Sequence, residues 1–402
     1  MNTLSRKEFL QRSLLATAGT MLIPNFLKAY ERNRLGMSQT TDKTVVIVQL
    51  SGGNDGLNTV VPYQNDLYYQ ARPRIGIAKD KVLRLTDEIG LNPALEKLRS
   101  LYDDGMVTIV NNVGYPNPDR SHFRSMDIWH TASEATEYLN SGWIGRFLDA
   151  QCAGACTPYN ALEVDDTLSL ALKGEKVKGI ALLNPQKLYQ ETQGKFMANL
   201  TQVKHEDNDS VHYLYKTLSE TVSSAEYIYN KAKVQRSTAN YPANNELGQR
   251  LRTVAELITS GVSSNVYYVS LSGFDTHVNQ LPQQERLLKQ YAEAMQAFVA
   301  DLKANGKMDK VLIMTFSEFG RRVKQNASGG TDHGTANNVF LIGGNIKNSK
   351  VFNEAPNLTN LDDGDLKYSV DFRNLYATIL NKWLQVDDVA ILGKKFDPIP
   401  FI

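Results

Sequence analysis

Five short stretches of the chain place metal-ligating or nucleophilic side chains at the ends of runs of β-branched residues, four after such a run and the fifth leading into one. Asn54 and Asp55 lie in Ser51-Gly52-Gly53-Asn54-Asp55-Gly56, and Arg120, Ser121 and His122 lie in Asp119-Arg120-Ser121-His122-Phe123. Asp275 and His277 belong to Gly273-Phe274-Asp275-Thr276-His277, Glu318 and Arg321 to Ser317-Glu318-Phe319-Gly320-Arg321-Arg322, and Asp332, His333 and Asn337 to the segment from Gly330. Mixed carboxylate and imidazole donors suit zinc, manganese, iron or magnesium, whereas an all-oxygen set suits calcium or magnesium. The chemistry this implies is ester cleavage: a divalent ion polarises an ester oxygen and activates a hydroxyl or water, and a pair of ions clamps the attacking and leaving oxygens. The candidate ligands are Asp55, Asp275, His277, Glu318, Asp332 and His333. Ser121 is the candidate nucleophile, flanked by Arg120 and His122, at a position that equally fits a helix cap. Arg120 and Arg321 fit a phosphate or sulfate group through bidentate hydrogen bonds, or else pair with surface acids. Asn54 and Asn337 complete the candidate substrate contacts. Each motif alone also reads as a turn or a capping residue. Three of the six histidines and several carboxylates converging on one sheet edge make the joint reading the stronger one.

The elements that must position these residues are legible as apolar runs. Thr44 to Leu50 is a continuous β-branched run, the pattern of a strand buried on both faces. Met106 to Val110, Val266 to Leu271, Val311 to Phe316 and Val339 to Ile342 share that character. Helical spacing covers Asn92 to Tyr102, Glu246 to Thr259, Gln283 to Lys303 and Asp371 to Leu384. Strands alternating with helices predict an α/β three-layer sandwich: a mostly parallel central sheet covered on both faces, its ligand site outside the carboxyl ends of the strands. The region from about 134 to 243 is less regular, with a long polar helix predicted from Ser210 to Gln235, and reads as an inserted cap on a single domain spanning 44–402.

Composition narrows the partners. The 402 residues carry 44 basic and 43 acidic side chains, a formal charge of +1, which offers no electrostatic footprint for nucleic acid. Residues 1–30 read as an export leader: Ser5-Arg6-Lys7-Glu8-Phe9-Leu10 resembles the twin-arginine signal, with Lys7 in the second arginine position, followed by an apolar stretch too short to span a bilayer. Leu27-Lys28-Ala29 is a poor cleavage site, so an uncleaved leader anchoring the chain at the inner membrane is an alternative. Cys152 and Cys156 are spaced either for a disulfide, which a periplasmic location permits, or for two buried thiols.

The motifs L-S-G-G-N-D-G-L-N-T-V-V-P from Leu50, R-S-H-F from Arg120, S-G-W-I-G-R from Ser141, G-F-D-T-H, S-E-F-G-R-R and D-H-G-T-A-N occur in an order that resembles the bacterial DUF1501 family of exported proteins. The resemblance runs from about Val45 to Leu384. That family in turn resembles the alkaline phosphatase and sulfatase superfamily. The second resemblance implies that Asp55 is the early metal-binding aspartate, Ser121 the nucleophile, Asp275 and His277 the middle ligand pair, Glu318 the next acidic ligand and His333 the late histidine. The superfamily's Asp-His is Glu318-Phe319 here, which removes one imidazole, and Asp275 and His277 are closer than the usual D-x-x-x-H, with Gln280 a weak substitute. Either His122 compensates or the site holds one metal. The expected function is that of an exported, metal-dependent hydrolase or transferase acting on phosphate or sulfate esters, its partner a small anionic ester or a glycan. The alternative is a non-catalytic periplasmic binding or assembly protein that retains the fold.

Overall fold

A computed structural model describes residues 41–152, 157–193, 209–347 and 350–401. Eight strands form one sheet: β1 Thr44–Ser51, β2 Val107–Gly114, β3 Ala161–Glu163, β4 Ile180–Ala181, β5 Val266–Ser272, β6 Val311–Phe316, β7 Asn337–Gly343 and β8 Val370–Asp371. Their spatial order is β8-β2-β7-β6-β1-β5-β3-β4. Every neighbouring pair is parallel except the two made by β7, which runs against β2 and β6.

The alternation of side chains along β1 builds both outer layers. Val46, Val48 and Leu50 face a core shared with α5 (Glu246–Thr259) and α6 (Gln280–Ala304), through Leu251, Val254, Leu288 and Met295. Val45 and Ile47 face the opposite core, with Trp129 of α2 (His122–Thr131), Trp143 of α3 (Trp143–Gln151) and Tyr376 of α7 (Phe372–Thr378). The three-layer α/β sandwich with a mostly parallel sheet is therefore what the buried runs dictate.

Boundaries differ where local geometry intervenes. The helix predicted from Asn92 begins as a 3-10 turn, Pro93–Leu95, capped by Asn92, before α1 (Glu96–Asp103). The last predicted helix divides into α7 and a π-helical turn, Ile379–Trp383. Strand β2 continues past Val110 through Asn111 and Asn112, held by β7 across a register shift. The irregular middle does more than cap the sheet: β3 and β4 extend its edge beyond β5, while α4 (Asp209–Ala232) packs outside. Runs of two or three residues carry too little periodicity to be read as strands. The leader and Cys156 lie outside the described residues, and Cys152 follows α3 directly.

Candidate metal centre

Because β7 is antiparallel, its beginning lies at the edge where β1, β5 and β6 end, so the segment entering β7 reaches the same place as the segments leaving the other three. Two glycines allow these segments to close on one another. Gly52 has φ +117°, and a Cβ there would stand 2.4 Å from the Asp275 nitrogen; Gly53 has φ +72°, and its Cβ would stand 2.2 Å from the Phe319 ring. Beyond β6, the chain pairs with the segment entering β7: Gly320 N–H donates to the Thr335 carbonyl (2.7 Å) and Arg322 N–H to that of Asp332 (3.0 Å), which sets Arg321 opposite His333. Arg321, 2 % exposed, then staples the edge together. Its guanidinium donates to the carbonyls of Gly52, Gly53, Phe274 and Thr331 and to Asp275 Oδ1 (2.8 Å).

Asp275 Oδ1 is the point of convergence. His277 Nδ1 lies 3.0 Å from it, His333 Nε2 3.2 Å and His122 Nε2 3.4 Å. The remaining nitrogens of two of these rings are already committed. His333 Nδ1 is 2.7 Å from the Arg120 carbonyl, and His122 Nδ1 is 3.0 Å from Glu318 Oε1. A carbonyl and a carboxylate only accept, so both Nδ1 atoms carry the hydrogen, and in the neutral rings both Nε2 atoms present lone pairs. Those lone pairs face a carboxylate oxygen. His122 Nε2 is buried and, among the described residues, makes no hydrogen bond despite its proximity to Asp275. Phe319 closes the apolar side, its ring centroid 4.9 Å from that of His122 and 4.7 Å from that of His333.

The protonation equilibria follow the same contacts. Burial would raise the Asp275 carboxyl, but the hydrogen bond from Arg321, together with His333 when that ring also carries a proton on Nε2, outweighs it and pulls it down to about 2. The bond to Glu318 raises His122 against the opposing effect of desolvation. Burial, reinforced by Arg321, lowers His277. One ligand atom from each of His122, Asp275 and His333 lies within 4.8 Å of the other two, a spacing that lets a single cation be shared. Nδ1 bonded to a carboxylate or carbonyl while Nε2 faces outward is also the arrangement that orients metal-ligating imidazoles.

The other sequence candidates divide by position. Glu318, 1 % exposed, stands behind the ring of His122 and accepts Gly52 N–H (2.8 Å), so it supports a donor. Asp55 is drawn away from the cluster: its Oδ2 lies 2.6 Å from buried Arg72 and also accepts from Gln280, which removes Gln280 as a substitute ligand too. Asp332 is exposed and bonds Asn326 (3.2 Å). Asn54 and Asn337 are buried with their amides turned into the scaffold, toward Thr59 and toward the Asn54 and Phe319 carbonyls. Arg321 is spent on carbonyls and cannot grip a substrate. Arg120 pairs with Asp363 and Asp365, and its carbonyl, not its charge, serves the site. Ser121 is the exposed N-cap of α2, yet its side chain makes no capping bond. Arg72, which decides the fate of Asp55, is absent from any sequence motif and is joined to it only by the fold.

The family model of DUF1501, described as a protein of unknown function, matches residues 105–394. The chain belongs to the DUF1501 family. That match takes in every residue of the histidine cluster, so the centre is a feature of the DUF1501 portion itself. No curated protein matches this DUF1501 chain. Among solved structures it is similar to the C-terminal periplasmic domain of EcEptC from Escherichia coli, at 11% identity and TM-score 0.42, covering 91% of this chain and 92% of that one. It is also similar to a protein in the alkaline phosphatase superfamily from Vibrio parahaemolyticus, at 10% identity and TM-score 0.41 over 94% and 78% of the two chains. The PsFucS1 sulfatase from Pseudoalteromonas sp. matches at 12% identity and TM-score 0.39 over 93% and 74%. Likenesses this distant assign no activity to the DUF1501 chain.

Proposed function

We propose that the protein is an exported, metal-dependent hydrolase or transferase acting on phosphate or sulfate esters. The observation that carries this reading is the pair of imidazoles, His122 and His333, whose Nδ1 atoms are occupied and whose Nε2 atoms face Asp275 Oδ1 at 3.4 and 3.2 Å. Two lone pairs aimed at a carboxylate repel one another unless a proton or a metal ion lies among them, and a shared metal ion satisfies all three groups at once. His122, Asp275 and His333 would hold the ion, with His277 beside them. Nitrogen and carboxylate donors together suit zinc or manganese better than calcium. When bound, the ion supplies Lewis-acid polarisation of an ester oxygen.

This chain's own residues supply the rest. Ser121, exposed next to His122 and free of a capping bond, is the nucleophile of the proposed reaction. It stands at the amino end of the ten-residue helix α2, where partial positive charge favours an anionic group. Glu318 and the Arg120 carbonyl hold the two rings, while Arg321 fixes Asp275. Asp55 and Glu318 lie outside the shell, which favours one ion over two. Export rests on the leader at Ser5 to Leu10; among the described residues no helix is long and apolar enough to cross a membrane.

The test is to purify the protein, reconstitute it with zinc and with manganese, and measure bound metal and turnover of aryl phosphate, phosphodiester and sulfate esters. One equivalent of metal and an ester activity are expected, both lost in Asp275→Ala and His333→Ala. Failure to bind stoichiometric metal after reconstitution refutes the reading. Metal bound equally well by those variants also refutes it.

A further inference from the structure

A small hairpin outside the main sheet reaches the edge that carries the candidate metal centre. Its strands are Leu361–Asp362 and Asp365–Leu366. Asp363 and Gly364 turn it with φ +49° and +83°, the left-handed pair that a two-residue Asp-Gly hairpin turn adopts. Leu366 anchors it in an apolar cluster with Leu57, Val323 and Ala336, and the Leu366 carbonyl accepts from the Thr335 hydroxyl. The turn and the anchor together carry Asp365 into the interior. Asp365 is fully buried, and among the described residues neither of its carboxylate oxygens makes a hydrogen bond. It meets two guanidiniums instead, Arg120 at Oδ2 and Arg322 at Oδ1, the latter at 3.6 Å.

Both arginines lead to His333. The Arg120 carbonyl accepts from His333 Nδ1 at 2.7 Å, and Arg322 N–H donates to the carbonyl of Asp332, the residue before His333, at 3.0 Å. We infer that Asp365 is a positioning residue of the candidate metal centre: acting through Arg120 and Arg322, it holds His333 in the tautomer whose Nε2 lone pair faces Asp275. The inference rests on the reading of His333 as a metal ligand.

Two arguments support it. The first is energetic. A buried ion pair adds little net stability over an apolar residue of similar volume, and Leu366 already anchors the hairpin by apolar contact. The use of a buried carboxylate here therefore lies in where it fixes its partners. The second is local. Residues 116–121, between β2 and α2, are half-buried or exposed, and their hydrogen bonds are short-range: Ser121 N–H to Asp119 Oδ1 (2.6 Å), and Ser125 Oγ–H to the Asp119 carbonyl (2.8 Å). The Arg120 guanidinium reaches across to the hairpin, so its charge, which touches no donor of the centre, fastens the residue whose carbonyl does. Fixing that carbonyl keeps the hydrogen on Nδ1 and leaves Nε2 free for an ion. Asp363 touches the same two guanidiniums, at 3.5 and 3.1 Å, but its side chain is 77% exposed and water screens the pairs. It supplies the control.

The experiment uses the whole protein with isotope-labelled histidine. Imidazole nitrogen–proton correlation spectra of the metal-free protein report the His333 tautomer, assigned by loss of its signals in His333→Gln, and a competitive chelator titration reports zinc affinity. The parent is expected to hold His333 with the hydrogen on Nδ1. Asp365→Asn is expected to mix the two tautomers and weaken zinc about tenfold. Arg120→Gln keeps the carbonyl, loses the guanidinium at a partly exposed position, and is expected to do the same, which also covers the case in which Asp365→Asn does not fold. Asp363→Asn is expected to match the parent in both readouts. The inference is overturned if the His333 tautomer and the zinc affinity of Asp365→Asn and Arg120→Gln equal those of the parent, even with a lowered melting temperature, which would mark a merely structural role. It is also overturned if Asp363→Asn has as large an effect. A parent that binds no zinc overturns the metal reading instead, and the metal-free spectra then decide separately whether Asp365 sets the His333 tautomer.

Discussion

Two buried groups shifted in opposite directions, Glu163 and His130, should cancel one another's contribution to the pH dependence of stability until one of them is removed. Glu163, at the end of β3, is 4% exposed and accepts one hydrogen bond from Ser169 N–H (2.6 Å); burial pushes its carboxyl up from 4.5 to about 7. His130, in the last turn of α2, is 8% exposed, with Nε2 3.1 Å from the Tyr268 hydroxyl; burial pulls it down from 6.5 to about 4. The folded carboxyl holds its proton more tightly than the unfolded one, so its contribution is complete below about pH 4.5 and is lost as pH rises to about 7. The folded imidazole holds its proton less tightly, so its contribution is complete above about pH 6.5 and is lost as pH falls to about 4. Across the shared window, about pH 4.5 to 6.5, each is worth about 3 kcal/mol with opposite sign, and the two cancel. Glu163→Gln keeps an acceptor for Ser169 and leaves His130 unopposed, so stability should rise by about 3 kcal/mol from pH 4.5 to 6.5. His130→Gln should show the reverse slope. Urea unfolding of the parent and both variants at a series of pH values measures this directly. Parallel pH profiles for all three proteins would refute the reasoning.

Three further outcomes follow from the centre. Asp55→Asn strands buried Arg72 and should cost about 3–5 kcal/mol in urea unfolding, yet leave zinc affinity unchanged, because its carboxylate lies outside the donor set. Glu318→Gln removes the carboxylate behind His122 and should weaken zinc about 10- to 100-fold in a competitive chelator titration, while the protein remains folded. Gly52→Ala forces a Cβ to 2.4 Å from the Asp275 nitrogen at φ +117° and should lower both the melting temperature and zinc affinity, read by calorimetry; an unaffected melting temperature would show that the loops close differently.

Where the chain is buried on two faces, the sequence states its structure plainly. Val311 to Phe316 and Glu246 to Thr259 have the same bounds in the fold as in the periodicity, because a central strand and an amphipathic helix each need an uninterrupted pattern. The strand-end rule likewise points to the neighbourhood of Asp275, His277 and His333. What it cannot distinguish is a carboxylate that faces a cluster from one that faces an arginine. Asp55 and Arg72 are 17 residues apart in a turn-rich region, and only the fold brings their charges to 2.6 Å. The same holds for Arg321, whose motif reads as a substrate clamp and whose guanidinium is consumed by main-chain carbonyls. The edge strands β3 and β4 escape notice because they borrow their regularity from β5.

The donors of the proposed shell come from residues 122, 275 and 333, and the last arrives only with the antiparallel strand β7. These three are far apart in the chain, so an unfolded chain offers an ion no more than the local pair Asp275 and His277. A cation at this point would act as a keystone, placed after the arch is built. It would slow the opening of the finished sheet without hastening its formation, so unfolding would release the metal whereas removal of the metal would leave the sheet standing.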